Sequence, residues 1–205
     1  MGARDQETRR RLLQASARLF AERGYDKVTV RDICRKARAN VAAVNYHFGG
    51  KLGLYHAVLE EAIRTMQATT AAARDAGRGL PPAERLHAYV RIFIERLTGA
   101  SRESWIHQLM MRELSDPTPA LEMVMTQVVR PRLAFLAEIV AALLGCPPDD
   151  PRVEPCAMSV HMQCLSAARN PLEHRAEPGA LPPAAVAALV DHVTRFSLGG
   201  VSALR

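Results

Sequence analysis

The sequence predicts an all-α fold in which an N-terminal three-helix domain containing a helix-turn-helix precedes a C-terminal helical bundle. Two short capped helices meet at a tight turn between Val28 and Lys51, apolar residues elsewhere recur with a helical period, and alternating strand patterns are almost absent. The 205 residues are 48% hydrophobic, enough to pack a core in one large or two small domains. We place the division at residues 1–50 and 51–205.

The first helix is expected over about Thr8–Arg23, with Leu12, Leu13, Leu19 and Phe20 on its inner stripe. Thr29 can cap the next, and Asp32 three residues later can return a bond to the free amides there. Val30, Ile33, Cys34 and Ala37 give that helix its apolar side. After a turn of about three residues, Asn40 can cap a helix from Val41 to Phe48. Gly49 and Gly50 end it, and Lys51 opens a long helix toward Ala73 whose inner stripe is Leu54, Tyr55, Val58, Leu59, Ala62 and Met66.

Two glycines and two prolines make Arg74–Pro82 a loop. From Ala83 onward Leu86, Tyr89, Val90, Phe93, Ile94 and Leu97 give the clearest helical period in the chain. A helix over Ser104–Leu114 follows, then Thr118 as a cap with Pro119 at the first helical position. Pro131 should kink the long pattern that reaches Leu144, near Arg130, because proline lacks the amide and crowds the preceding turn. Asp150 and Pro151 open a helix ending near Ala168, a polar loop covers Arg169–Pro182, and the last helix runs from Pro183 to Leu198, where Gly199 and Gly200 stop it.

Within Val41–Phe48, the spacing of Val41, Val44 and Phe48 turns them toward the domain core and leaves Ala42, Ala43, Asn45, Tyr46 and His47 outward. Small side chains let a helix approach base edges, asparagine can pair with adenine, and the ring donors suit phosphates or bases. The candidate DNA contacts are Thr29, Arg31, Asn40, Val41, Ala42, Ala43, Asn45, Tyr46, His47 and Lys51. Charge supports this. Residues 1–55 hold 12 Lys and Arg against 5 Asp and Glu, whereas residues 56–205 hold 15 against 16, so the basic excess lies with the hairpin. A membrane surface would attract the same charge, but the first helix has no spare apolar face for lipid.

The runs LFAERGYDKVTVRDI (Leu19–Ile33) and YHFGGKLGLY (Tyr46–Tyr55) resemble the N-terminal domain of the TetR/AcrR family of one-component transcriptional regulators. Many members of that family have Gly-Val-Ser where this chain has Arg38, Ala39 and Asn40, and an aromatic where Asn45 stands. MMRELSDPTPALEMV (Met110–Val124), the Arg130–Cys146 run and SVHMQCL (Ser159–Leu165) are similar to the C-terminal domain of the CecR/CerR-like subset. The resemblance implies double-stranded operator DNA and a small-molecule effector as partners. It also implies that effector binding shifts the long fourth helix and changes the separation of two reading heads.

His87, His107, Met110, Met111, Met123, His161, Gln163 and Cys164 are soft or polar residues at otherwise apolar positions and form the candidate effector set, although core filling is the commoner role for such residues. Small residues Ala184, Ala187 and Ala188 on one stripe of the last helix, with Val186, Leu189, Val190 and Val193 on another, give it two faces to bury. A homodimer through the last two helices is therefore expected, with a palindromic operator. Cys34, Cys146, Cys156 and Cys164 lack metal-ligand spacing and read as reduced thiols of a cytoplasmic protein; Cys164 or Cys146 as a redox sensor is the alternative. No nucleotide-binding, hydrolase or metalloprotease motif is present, no cofactor is expected, and the 161/164 His–Cys spacing is explained by packing. The expected function is a ligand-responsive repressor; an activator of the same fold or an architectural DNA binder are the alternatives.

Overall fold

The computed structural model describes residues 2–98, 104–167 and 181–205, and among these every regular element is helical. In order they are α1 (Ala3–Arg23), α2 (Val30–Ala37), α3 (Val41–Phe48), α4 (Lys51–Ala76), α5 (Pro82–Thr98), α6 (Ser104–Ser115) and α7 (Leu121–Val124). A π-helical turn, Met125–Val129, leads into α8 (Arg130–Leu144), followed by α9 (Val153–Ala167) and α10 (Pro183–Ser202). The loop expected after Ala168 lies largely outside the described residues. Two compact units result, Met1–Thr65 with Arg102–Met125, and Met66–Ser101 with Thr126–Arg205.

The first unit is longer than the domain expected to end at residue 50. Leu54, Tyr55, Val58 and Leu59 of α4 are buried in it, and α6 packs along α1. Phe20, Tyr25 and Tyr55 cluster, with the Phe20 and Tyr55 rings edge to face at 5.0 Å. Arg112 of α6 donates from Nε to the Ala21 carbonyl at 2.9 Å and from Nη2 to the Glu22 carbonyl at 2.5 Å. Those are carbonyls that the end of α1 leaves without helical partners. Glu113, only 2% exposed, accepts from the Tyr55 hydroxyl (2.5 Å) and from the amide (2.9 Å) and hydroxyl (2.5 Å) of Thr118. Among the described residues this buried side chain is thus satisfied by three donors and no cation.

The second unit packs α5, α8, α9 and α10 around Leu86, Tyr89, Phe93, Phe135, Ile139, Val160 and Val193, with Ala73 from the end of α4. Tertiary contacts override local breakers here. Arg74 lies over Phe135 at 4.3 Å and pairs with Glu138, so α4 continues three residues beyond Ala73 before Gly77 and Gly79 end it. The last helix does not stop at Gly199 and Gly200: Val201, 4% exposed, joins the core, and Arg205 Nε donates to the Leu143 carbonyl at 2.7 Å. The break expected at Pro131 takes the form of the π-helical turn just before it, a wider turn that accommodates the ring and the missing amide.

Candidate DNA interface and effector core

The helix-turn-helix is set by local chemistry. Thr29 Oγ1 accepts from the Asp32 amide at 3.1 Å while Asp32 Oδ2 accepts from the Thr29 amide at 3.2 Å, the reciprocal cap the sequence predicts. Hydrogen bonds from the Thr29 hydroxyl and amide hold the Asp32 carboxyl below its ordinary pKa. Asn40 Oδ1 accepts from the Ala42 amide at 3.0 Å, and Gly49, at φ 69°, closes α3 with its amide on the Asn45 carbonyl. Between the helices Arg38 occupies the left-handed region at φ 50°, the conformation that a turn glycine would adopt freely.

Val44 is the fully buried anchor of α3, and Phe48 is half-buried beneath the Arg9 guanidinium at 5.2 Å. Val41 departs from expectation. It is 43% exposed, because the core stripe of so short a helix passes through Val44 and misses its first residue. Ala42 and Asn45 are exposed, Ala43 is half-exposed, and Tyr46 is 75% exposed. Thr29, Arg31 and Asn40 are exposed beside them, and the Lys51 ammonium sits 4.2 Å from the Tyr25 ring centroid. His47 is not turned outward as its position on the helix predicts: its side chain is only 4% exposed, with Nε2 3.3 Å from Asp5 Oδ1 of α1. Gly53 is a residue the sequence reading missed. A Cβ there would lie 1.8 Å from the Phe48 carbonyl oxygen, so only glycine lets α4 start this close to the end of α3.

The candidate effector residues are divided between the two units. His107, Met110, Met111 and Met123 belong to the first unit, and His87 is exposed on α5 because the buried stripe runs through Leu86 and Tyr89 instead. Gln163 is half-exposed and bonds the Ser159 carbonyl one turn back. His161 and Cys164 do enter the second unit's core, where they meet residues the sequence reading did not select. His161 Nδ1 lies 3.1 Å from the Tyr89 hydroxyl. Arg132, 6% exposed, stacks over Phe93 at 4.4 Å and donates to Thr70 Oγ1 (3.1 Å) and the Met66 carbonyl (2.9 Å), with no carboxylate among its described partners. The signal for Arg132 was its place one turn before Phe135 and Leu136 on a core stripe.

Burial, and secondarily the Arg132 charge, pushes the His161 imidazole down to about 4, while burial raises the Cys164 thiol to about 12. These shifts oppose a thiolate–imidazolium pair, and burial disfavours the thiolate form of Cys164 through which a redox sensor would react. They also make a pH prediction. In the unfolded chain His161 titrates near 6.5, so between 6.5 and about 4 the unfolded state binds the extra proton and stability falls as pH falls. Melting measured at pH 7 and pH 5 should therefore show a smaller acid loss in His161→Gln than in the parent, the difference reaching roughly 1–3 kcal/mol. An identical loss in both would show that the imidazole is not buried in its neutral form.

A cationic head carrying a capped, uncovered reading helix, together with a helical bundle whose apolar core also encloses Arg132 and His161, has the features of a helix-turn-helix transcriptional regulator. Comparison with known proteins agrees. Residues 12–58 match the bacterial regulatory proteins of the tetR family, and residues 82–201 match the C-terminal domain of the HTH-type transcriptional dual regulator CecR. The CecR protein of Shigella flexneri is 29% identical over 171 residues, 75% of this chain and 72% of the relative. The HTH-type transcriptional regulator SrpR of Pseudomonas putida is 40% identical over 57 residues, 28% of this chain and 27% of the relative. A TetR-like regulator from Rhodococcus sp. RHA1 shares the fold at a TM-score of 0.72 and 18% identity, covering 95% of this chain and 96% of that one. A ketosteroid transcriptional regulator of Mycobacterium tuberculosis does so at 0.68 and 22%, covering 98% and 95%. The chain belongs to the TetR family of DNA-binding transcriptional regulators, with a CecR-type C-terminal domain. Members of this family are regulators, not enzymes, and among the described residues no helix is long and apolar enough to cross a membrane.

Proposed function

We propose that the protein is a cytoplasmic, ligand-responsive repressor that binds a palindromic operator as a homodimer and is released when a small molecule enters the second unit. The carrying observation is the outer face of α3, where Ala42, Asn45 and Tyr46 stand uncovered in a head that holds the whole basic excess of the chain. Ala42 and Ala43 admit the helix to the major groove, Asn45 reads a base, and Arg31, Thr29 and Asn40 contact phosphates. His47, committed to Asp5, takes no part. The effector is received around Arg132, Tyr89 and His161, because a buried cation with no carboxylate partner among the described residues favours a ligand that supplies acceptors. To release the operator it must bind the DNA-incompetent state more tightly; moving the balance from 1:99 to 99:1 takes about 5.5 kcal/mol of differential affinity.

Fluorescence anisotropy with operator and variant duplexes tests the reading helix. Asn45→Ala should cost about 1–3 kcal/mol on the preferred site and relax discrimination at one base pair, whereas Arg31→Ala should weaken all sequences alike and reduce the salt slope by about 1. Unchanged affinity and salt dependence in both variants would remove the assignment. A parent protein that prefers its site by less than roughly 10³-fold would favour an architectural role. Activation is the second reading, supported by the word "dual" in the name of the Shigella flexneri relative. Transcription of the controlled gene decides it, rising on deletion of a repressor and falling on deletion of an activator.

A further inference from the structure

The first unit contains a recess that DNA reading does not use. It has a volume of about 690 Å³ and is bounded by α1, the end of α2, α4 and α6, with no residue of α3 in its wall. That size falls among small-molecule sites, which run from about 300 to 1,000 Å³. Its apolar lining includes Leu13, Ala17, Val58, Trp105 and Ile106. Five cations also line it, Arg10, Arg11, Arg18, Lys36 and Arg38, against a single acid, Glu61.

The cations are not equivalent. Arg10 is held by Glu7 at 2.6 Å, Lys36 lies 3.7 Å from Glu22, and Glu61 is committed to Arg64 at 2.5 Å. Arg11, Arg18 and Arg38 have no ion pair within 4 Å among the described residues, although Glu7, bonded to Arg10, also attracts Arg11 at longer range. Arg11 is the most exposed to this imbalance chemically: its Nε is buried without a partner, and its terminal nitrogens reach only the Arg38 carbonyl at 3.5 Å and Thr8 Oγ1 at 3.4 Å. Those distances are at the outer edge of hydrogen bonding, so the guanidinium retains most of its capacity to donate. Unpaired cations on a concave, partly apolar wall concentrate positive potential inside it. An inorganic anion would leave the apolar wall uncovered, and a neutral apolar molecule would leave the guanidinium unsatisfied.

We propose that this recess is a second ligand site, distinct from the second unit's core, that takes an anion with an apolar body, and that its occupancy is linked to operator binding. The carboxylate, sulfonate or phosphate head meets Arg11 with Arg18 and Arg38, and the body lies against the partly accessible Leu13 and Trp105. Lys36 and Arg38 flank the turn into α3, so a ligand held there bears on the orientation of the reading helix. Linkage requires the effect to be reciprocal: the factor by which the anion changes operator affinity is the factor by which operator changes anion affinity.

The test uses the full chain and Trp105, its single tryptophan, which stands in the wall of the recess. Dodecanoate below its micelle threshold should change the tryptophan emission saturably, while dodecanol and inorganic phosphate should each bind at least about tenfold more weakly. Arg11→Gln should weaken dodecanoate by a similar factor; if that variant does not fold, Arg18→Gln, on an exposed side chain, should weaken it in the same direction. Arg132→Met, in the other unit, should leave the titration unchanged. No emission change, equal binding of dodecanol, or loss of the response in Arg132→Met would overturn the site. Equal dodecanoate affinity with and without operator would overturn the linkage. Failure of the effector reading for the second unit would leave these results standing.

Discussion

Phe196→Glu is expected to dissociate the protein into monomers and to lower operator affinity on the order of 10²- to 10⁴-fold, the gain that two linked reading heads provide over one. Phe196 is 65% exposed on α10 and forms a stripe with Ala184, Ala188 and His192, whose ring stacks near it at 6.2 Å. On the neighbouring α9, Met158 and Met162, one turn apart, are 40% and 52% exposed. Such large apolar groups on two packed helices leave an uncovered surface that a second copy would bury by two-fold symmetry. A carboxylate at 196 would have to be desolvated against its own symmetry mate. Light scattering and anisotropy on the same samples check both halves of the expectation. A parent protein that is monomeric at all concentrations, or a variant that remains a dimer with full affinity, would remove the proposed interface.

The second large effect is expected inside the first unit. Glu113→Ala should destabilise it by roughly 3–5 kcal/mol, because the Tyr55 hydroxyl and the Thr118 amide lose their acceptor together and a void is left. Burial first, and then the adjacent carboxylate, pushes the Tyr55 hydroxyl well above its ordinary pKa, so the phenol stays a donor and cannot adapt by ionising. Glu113→Gln keeps the shape and one acceptor and should cost about 1 kcal/mol, as should Tyr55→Phe. Chemical denaturation distinguishes these cases. Equal midpoints for Glu113→Ala and the parent would mean that the cluster does not tie α6 to α4. The expected partner of lost stability is lost operator binding, since α6 also closes the end of α1 through Arg112.

What could be read in the sequence follows the range of the interactions responsible. The caps at Thr29 and Asn40 are completed within three residues, so the bounds of α2 and α3 were legible from local chemistry alone. The breaks at Gly77 and Pro131 were legible in kind but not in form, because Arg74 on Phe135 and the π-helical turn are answers to tertiary packing. His47 was misplaced for the same reason: what turns it inward is Asp5, forty-two positions earlier on another helix. Arg132 shows the opposite limit. Its core register was visible, but only the fold shows that a charged residue is buried there with Thr70 and Phe93 rather than displaced to the surface. The pattern of soft residues likewise did not indicate that His161 and Cys164 share a core while His87 is exposed.

One corner of the head is held against its own backbone preference. Arg38 adopts the left-handed conformation at φ 50°, ψ 50°, which costs a residue with a Cβ about 1 kcal/mol that glycine would not incur. A selection for heat resistance would therefore favour glycine at this position, yet the tougher protein would lose one of the arginines that line the recess. Durability and sensitivity to charge are opposed at a single residue, and laboratory evolution toward one should erode the other.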